Sequence, residues 1–335
     1  MFKTQEIGSI KKPDWFVSFL KNPRVSKEAR ERARDDLAYL NIHMFEDAGL
    51  DYVYDGEARR VEMYEYAARR MHGFDFAGRI RSWDNRYYRK ARCTDKVSYL
   101  GPYHLEELQY VKKNSKMEPK IPITGPYTIM DWSFNEYYRN REEFLFDVSK
   151  NIIRPLLRDL VAGGANIIQI DEPAVTTHPR EMKTFVEAFN ESVQGVDCEI
   201  SIHICYSGDN YRSLFPHVLD LKVDQFTLEF ANRDTLSLGL SEESRVGYDA
   251  IKLFREYGDK RIIGLGVLDV HVDRIEEPEL VRDRILYAAK TLDDPNKIYV
   301  NPDCGLRTRS REIAFKKITN MVEGTRLARE KIQSM

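Results

Sequence analysis

Asn166-Ile167-Ile168-Gln169-Ile170-Asp171-Glu172-Pro173 is the stretch on which the fold turns. A short apolar run ends abruptly in two carboxylates and a proline. Gly163-Gly164 stands just before it, and Tyr138 to Ala162 reads as an amphipathic helix. Short apolar runs bounded by turn residues are the signature of buried parallel strands, and glycine commonly ends the preceding helix. The same sequence of helix, turn, short strand and polar end recurs along the chain. Strands are predicted at Thr4 to Ile7, Leu50 to Tyr54, Ile121 to Thr124, Asn166 to Ile170, Glu199 to Ile204, Gln225 to Leu228, Arg261 to Leu265 and Lys297 to Val300. Helices are predicted at Lys27 to Ala48, Tyr138 to Ala162, Pro179 to Glu191, Glu243 to Tyr257, Pro278 to Thr291 and Ser310 to Lys331. In the last, Ile313, Ala314, Ile318 and Met321 share one stripe.

Eight strands alternating with helices predict an α/β protein, a (βα)8 barrel, which typically takes about 250 residues. The chain has 335. The surplus is an N-terminal helical stretch and a long excursion between strands two and three. That excursion, residues 57–120, is rich in Arg and Tyr, and we read it as lying over the catalytic end of the barrel. A doubly wound open sheet would want a Gly-rich phosphate loop after an early strand, and neither G-x-G-x-x-G nor a Walker motif occurs. No Pro/Gly/Ser-rich linker divides the chain, so one domain over 1–335 is expected.

Composition narrows the function. With 52 basic and 54 acidic residues the net charge is -2, so no global basic field favours nucleic acid or an anionic membrane. No apolar run reaches the roughly 18 residues of a membrane span, and the N-terminus lacks the apolar core of a signal peptide. A cytoplasmic enzyme is expected. The cysteines, Cys93, Cys198, Cys205 and Cys304, are far apart. In a cytosolic protein such cysteines are metal ligands or nucleophiles more often than disulfide partners.

Polar residues cluster where the predicted strands end: Gly8-Ser9, Asp55-Gly56-Glu57, Thr124-Gly125-Pro126, Asp171-Glu172-Pro173, His203 with Cys205, Glu229, Asp269 with His271, and Asn301-Pro302-Asp303-Cys304. In a barrel these ends meet at one mouth. Strand-capping explains the Gly, Pro and Asn, but not the His, Cys and Glu. Residues two apart on a strand point the same way, so His203 and Cys205 can bind one tetrahedral ion, with Glu229 and Cys304 arriving from other strand ends. Such a donor set suits zinc better than magnesium or calcium. Taken alone, His203-Ile204-Cys205 is more often a packed His and a buried Cys. Cys198 reads as such a core residue, and Cys93 carries no assigned chemistry.

Taken in order, Ile7-Gly8-Ser9, Asp55-Gly56-Glu57, Thr124-Gly125-Pro126 with Asp131-Trp132-Ser133-Phe134, Ile170-Asp171-Glu172-Pro173-Ala174, His203-Ile204-Cys205-Tyr206 and Asn301-Pro302-Asp303-Cys304-Gly305-Leu306-Arg307-Thr308-Arg309 resemble the catalytic barrel of cobalamin-independent methionine synthases. The resemblance runs from residue 7 to about residue 310. It implies a TIM barrel and a methyl transfer to the thiol of homocysteine, giving methionine. It implies one zinc ion per chain on His203, Cys205, Glu229 and Cys304, with Asp234 as the fallback for Glu229. A free thiol has a pKa of about 8.5, and zinc deprotonates a thiol that coordinates it. The resemblance places Ile7, Gly8 and Ser9 at the substrate carboxylate, and Glu57 and Asp171 at its ammonium. Taken alone, Gly8-Ser9 is an ordinary turn and Asp171-Glu172-Pro173 a helix N-cap region.

His271, with Asp269, matches the acid that protonates the methyl donor as the methyl leaves, a role that suits a near-neutral pKa. Trp132 matches a tryptophan that stacks on the pterin of methyl-tetrahydrofolate, and Arg92 a region near the folate tail. Tyr87, Tyr88 and Tyr110 are core or binding surface, and His43, His72, His104, His178 and His217 structural or surface residues. Long members of the family carry a second, N-terminal barrel, for which this chain has no room. The resemblance thus leaves methyl-tetrahydrofolate or methylcobalamin, the latter free or on a corrinoid protein, as the expected donor. The alternative is a zinc alkyltransferase acting on another thiol such as coenzyme M. Its sulfonate would want a cationic pocket, which Glu57 and Asp171 oppose.

Overall fold

The structure is a computed structural model and describes residues 1–335 except 82–86, 206, 207, 209 and 335. Tyr206 of the His203 motif and the side chain of Tyr88 lie outside the described residues. The strands are β1 (Lys3–Thr4), β2 (Tyr52–Val53), β3 (Met71–Arg81), β4 (Tyr87–Tyr99), β5 (Glu118–Thr124), β6 (Phe134–Asn135), β7 (Ile167–Asp171), β8 (Glu199–Ile204), β9 (Gln225–Leu228), β10 (Ile262–Gly266) and β11 (Ile298–Asn301). The helices are α1 (Asp14–Lys21), α2 (Lys27–Ala48), α3 (Met63–Ala68), α4 (Leu105–Asn114), α5 (Pro126–Asp131), α6 (Arg141–Val148), α7 (Arg154–Ala162), α8 (Met182–Ser192), α9 (Ile251–Glu256), α10 (Pro278–Leu292) and α11 (Arg311–Gln333).

Eight strands follow the order β1-β11-β10-β9-β8-β7-β5-β2. Each neighbours the next such strand in the chain, and Gln5 bridges in parallel to Tyr52 at the two ends of that order. This is the TIM-barrel fold expected from the strand count. All eight predicted strands form, with ends shifted by a few residues at most. No helix among the described residues is long and apolar enough to cross a membrane.

The chain forms two compact units, one of Met1–Arg59, Tyr110–Lys120 and Gln225–Met335, the other of Arg60–Gln109 and Ile121–Asp224. In the first, β1, β9, β10 and β11 pair in parallel, with Gly264 opposite Thr227 and Tyr299. A side chain at Gly264 would lie 2.7 Å from Asn301 Oδ1 and 2.8 Å from Gln225 Nε2. The bare β10 backbone thus leaves room for the polar side chains of β9 and β11 beside it. Helix α2 begins at Ser26, whose Oγ accepts from Ala29 N–H (3.2 Å), and ends at the left-handed Gly49. Helix α11 begins likewise at Ser310.

In the second unit β7 and β8 pair in parallel, with Asp171 opposite His203. The excursion holds α3, an antiparallel hairpin of β3 and β4, and the start of α4. Sequence reading gave this stretch no regular structure, because charged residues fill one face of β4. The alternation of buried Ala91 and Cys93 around the half-exposed Arg92 is the signal that was there to read. Tyr64, Ala68 and Ala91 form a small core on which Phe74, Phe76 and Trp132 pack.

Two predicted helices come out shorter. Tyr138 to Ala162 breaks into α6, a π-turn over Ser149–Ile153 and α7. Pro155 lacks the N–H that a continuous helix needs there. Glu243 to Tyr257 is helical only over α9, after a 3-10 turn at Val246–Tyr248. There Gly247 presses on the backbone of Phe230 and Asp234, and Arg245 is drawn inward to Asp234.

Candidate active site

In the first unit the segment after β1 meets the segment after β11. An added side chain at Gly305 would lie 2.7 Å from Ser9 N and 3.1 Å from Gly8 C. One at Gly8 would lie 3.5 Å from Glu57 Oε1 and 3.7 Å from Gly305 Cα. Gly8, Ser9, Glu57 and the residue after Cys304 are thus neighbours. Glu57 is buried and left-handed, with φ 58°, a conformation that costs a non-glycine residue about 1 kcal/mol or more. Its N–H donates to Asp55 Oδ1 (2.8 Å), and Arg59 Nη1 donates to Asp55 Oδ2 (3.1 Å). Asn41 Nδ2 donates to Asp55 O (2.8 Å). Held backbone strain of this kind is common where a side chain must be aimed.

Glu229 follows β9 and is buried. Asn232 Nδ2 donates to its Oε2 (3.3 Å), and Arg233 lies 3.7 Å from the same oxygen. Asp234, the fallback for Glu229, is engaged elsewhere. It is buried between Arg245 (3.0 Å) and Arg284 (2.9 Å), which occupy its carboxylate. Glu229 therefore stands as the carboxylate to consider.

Asp269 and His271 sit on the loop after β10. Asp269 Oδ1 accepts from His271 N–H (2.8 Å), and Glu276 Oε1 accepts from Asp269 N–H (2.8 Å). Lys317 Nζ reaches up from α11 to Glu276 Oε2 (2.7 Å) and Asp269 O (2.9 Å). This buried ion pair pins the base of the loop, while His271 itself is exposed.

In the second unit, Asp171 and His203 end adjacent strands and are buried. Gln169 Nε2 donates to Asp171 Oδ1 (2.7 Å). Cys205 lies two residues beyond His203 and is partly buried. Glu172 is fully buried, and its carboxylate accepts from Tyr127 N–H (2.9 Å), Thr128 N–H (2.8 Å) and the Thr128 hydroxyl (2.6 Å). Burial pushes it up to about 8 against these three donors. A side chain at Gly125 would strike it at 2.3 Å.

Trp132 ends α5, and its ring meets Tyr64 at 6.1 Å and 66°. Arg92 is half-exposed on β4, paired with Asp75 and, at 3.7 Å, with Glu136. Tyr110 is only partly buried and gives its hydroxyl to Asp35 O (2.9 Å), and Tyr87 is exposed.

His203 ends the run of β8 with Cys205 two residues on, and in the first unit Cys304 follows β11. An imidazole and two thiols are a zinc-type donor set. Burial pushes Cys93 and Cys198 up to about 12, which keeps both as thiols.

His43, His72 and His178 pair with surface or half-buried acids, and His217 is exposed. His104 is fully buried against Glu107, and burial holds it down to about 4. Sequence reading missed two carboxylates inside its own motifs, Glu172 and Asp303, whose side chains turn to backbone N–H groups.

Comparison with known proteins gives the family. The family described as cobalamin-independent synthase, catalytic domain, matches residues 14–327. A methionine synthase of Thermoplasma acidophilum is 48% identical over 334 residues, 95% of this chain and 96% of that protein. One of Saccharolobus solfataricus is 39% identical over 341 residues, 99% of this chain and 96% of that protein. The structure of a B12-independent methionine synthase from Shewanella sp. W3-18-1, in complex with selenomethionine, superposes with a TM-score of 0.85 at 23% identity, covering 100% of both chains. With a family match over residues 14–327 and near full-length relatives, the chain belongs to the family of cobalamin-independent synthase catalytic domains.

Proposed function

We propose that this chain is a zinc-dependent S-methyltransferase that moves a methyl group to the thiol of homocysteine and forms methionine. The observation that carries the reading is the 48% identity to a methionine synthase over 95% of this chain, in a sequence that sets His203 and Cys205 at the end of β8 and Cys304 after β11. Glu229, buried after β9, would be the fourth ligand. Zinc held by these residues would supply the Lewis acidity that keeps the substrate sulfur a thiolate.

The chain's own residues handle the rest of the substrate. Backbone N–H groups of Ile7, Gly8 and Ser9 and the Ser9 hydroxyl donate to the amino-acid carboxylate. Glu57 and Asp171 accept from its ammonium, a charge-assisted pairing. The strained turn at Glu57 and the Gln169 bond to Asp171 hold these two acids before substrate arrives. The sulfur lone pair forms the new S–C bond as the bond from carbon to the donor breaks. With methyl-tetrahydrofolate the leaving nitrogen takes a proton from His271, whose backbone Asp269 fixes. Trp132 offers a ring to the donor, and Arg92 a cation to its tail.

The test is a donor assay on the zinc-loaded chain with homocysteine. Methyl-tetrahydrofolate, as mono- and polyglutamate, and methylcobalamin are offered separately. Methionine from one of them is expected; none from any would overturn the reading. Metal analysis of Cys304→Ser tests the ligands, and unchanged zinc content would remove Cys304 from the set. Asp171→Asn is expected to weaken homocysteine binding and to keep zinc.

A further inference from the structure

We propose that Asp303 is a positioning residue that sets the spacing of Glu229 and Cys304, and through it the affinity for zinc. The inference rests on the zinc reading above and adds to it a residue that touches neither metal nor substrate. Asp303 is fully buried and directly precedes Cys304. Its Oδ1 accepts from Phe230 N–H (2.9 Å) and Ala231 N–H (3.0 Å), and its Oδ2 from Asn232 N–H (2.7 Å). These three donors are the first residues after Glu229. Asn232 then returns its amide to Glu229 Oε2 (3.3 Å), and Arg233 Nη1 donates to Glu229 O (3.2 Å). One unbroken chain of hydrogen bonds thus runs from the residue beside Cys304 to the carboxylate of Glu229.

The path crosses β10, which lies between β9 and β11. It can do so because residue 266 is glycine. A side chain there would lie 2.2 Å from Asp303 Oδ1 and 2.7 Å from Leu228 O. Asp303 N–H also donates to Leu268 O (3.0 Å), so the loops after β9, β10 and β11 are locked together at one residue. Groups behind metal ligands commonly tune affinity by about 10- to 100-fold.

Glu172 is a matched control. It is equally buried and takes three donors from the start of α5, and its own tie to a ligand is a backbone bond, Glu172 N–H to His203 O (2.8 Å), which Glu172→Gln keeps.

The experiment measures the apparent zinc Kd of the full chain by competition with a chelator. Thermal unfolding of the zinc-free protein is followed in parallel. Asp303→Asn puts an amide where N–H donors point, and is expected to raise the zinc Kd about 10-fold or more. Glu172→Gln is expected to lower thermal stability and leave the zinc Kd within about twofold. Asn232→Ala, at a half-exposed position, keeps the backbone bond to Asp303 but loses the link to Glu229, and is expected to raise the Kd severalfold. It decides the matter if Asp303→Asn does not fold. An unchanged Kd in Asp303→Asn or, failing that, in Asn232→Ala, while Cys304→Ser loses zinc, would overturn the proposal and leave the zinc reading standing. Equal weakening by Glu172→Gln would also overturn it, since general destabilisation would then suffice. Zinc retained by Cys304→Ser would overturn the zinc reading and this proposal with it.

Discussion

Gly305→Ala tests the contact that joins the substrate-carboxylate segment to the Cys304 loop. The added methyl would lie 2.7 Å from Ser9 N and 3.1 Å from both Gly8 C and Ser9 O. All three are backbone atoms, so no side-chain rotation can relieve the clash. Ordinary contact begins at 3.4 Å, and the two segments must part by about 0.7 Å. Overpacking of this size costs about 1–3 kcal/mol of stability. The functional cost is separate. A shift approaching ~1 Å in groups that position a substrate can lower the rate by up to about 100-fold. We expect kcat/KM for homocysteine to fall about 10- to 100-fold, chiefly through KM, because the Gly8 and Ser9 donors move away from the carboxylate. Gly8→Ala is the companion, since its methyl meets no protein atom closer than 3.5 Å. It should leave thermal stability unchanged and raise KM, because it fills space meant for substrate. The assay is steady-state kinetics with homocysteine varied, beside a thermal melt. If Gly305→Ala lowers the melting temperature while KM stays at the wild-type value, Gly8 and Ser9 do not bind homocysteine.

Three other predictions address the loop, the cysteines and pH. Lys317→Met strands the buried Glu276 carboxylate and frees Asp269 O, so urea unfolding should show a loss of about 3–5 kcal/mol; kcat should fall while zinc content holds, and an unchanged kcat would remove the His271 loop from the chemistry. Removing zinc with a chelator should expose Cys205 and Cys304 to thiol labelling read by mass spectrometry, while Cys93 and Cys198, pushed up to about 12, stay unlabelled; labelling of Cys304 at the same rate with zinc present would contradict its role. His104 is held down to about 4 from an ordinary 6.5, first by burial and then by Arg60, so the unfolded chain binds the extra proton between those values. Stability is therefore full above about pH 6.5 and is lost as pH falls toward 4, by of order 3 kcal/mol; His104→Asn should flatten this part of the curve, and an unaltered slope would assign it to other groups.

The barrel was legible because its strands are short and end in polar residues. Glu199–Ile204 and Gln225–Leu228 were read to the residue. There the side-chain pattern depends on burial on both faces of a strand, which a sequence records directly. The hairpin of β3 and β4 was not legible. Its stability comes from pairing between residues up to 28 apart, Met71 with Tyr99, and from a cluster with Trp132 beyond it. Local propensity does not report such contacts. At the site, His203, Cys205 and Cys304 drew notice as His and Cys at strand ends, and only the ordered motifs raised them above a packed His and buried Cys. Asp303 and Glu172 were quoted in the motifs but read only as neighbours of functional residues. Their partners are backbone N–H groups, and no side-chain pattern announces a backbone donor.

In the proposed reading the two substrates meet different kinds of scaffold. Asp171, His203, Glu229 and Cys304 lie at or just beyond strand ends, and Glu57 and Ser9 follow β2 and β1. Strand register fixes such positions to within a residue, and buried carboxylates brace them from behind. Trp132 and Arg92 are held otherwise. Trp132 rests on Tyr64, whose hydroxyl bonds Ser133 (2.9 Å) and Ala91 N–H (3.0 Å). Arg92 spends its charge on Asp75 and Glu136, both exposed. A cation already paired at the surface contributes little to binding until a stronger anion displaces its partners. Arg92→Ala should therefore change KM for a monoglutamate donor less than about twofold, and KM for a polyglutamate donor more. Equal KM changes for the two donors would mean that the hairpin shapes the ring site through Tyr64 and Trp132 and does not grip the tail.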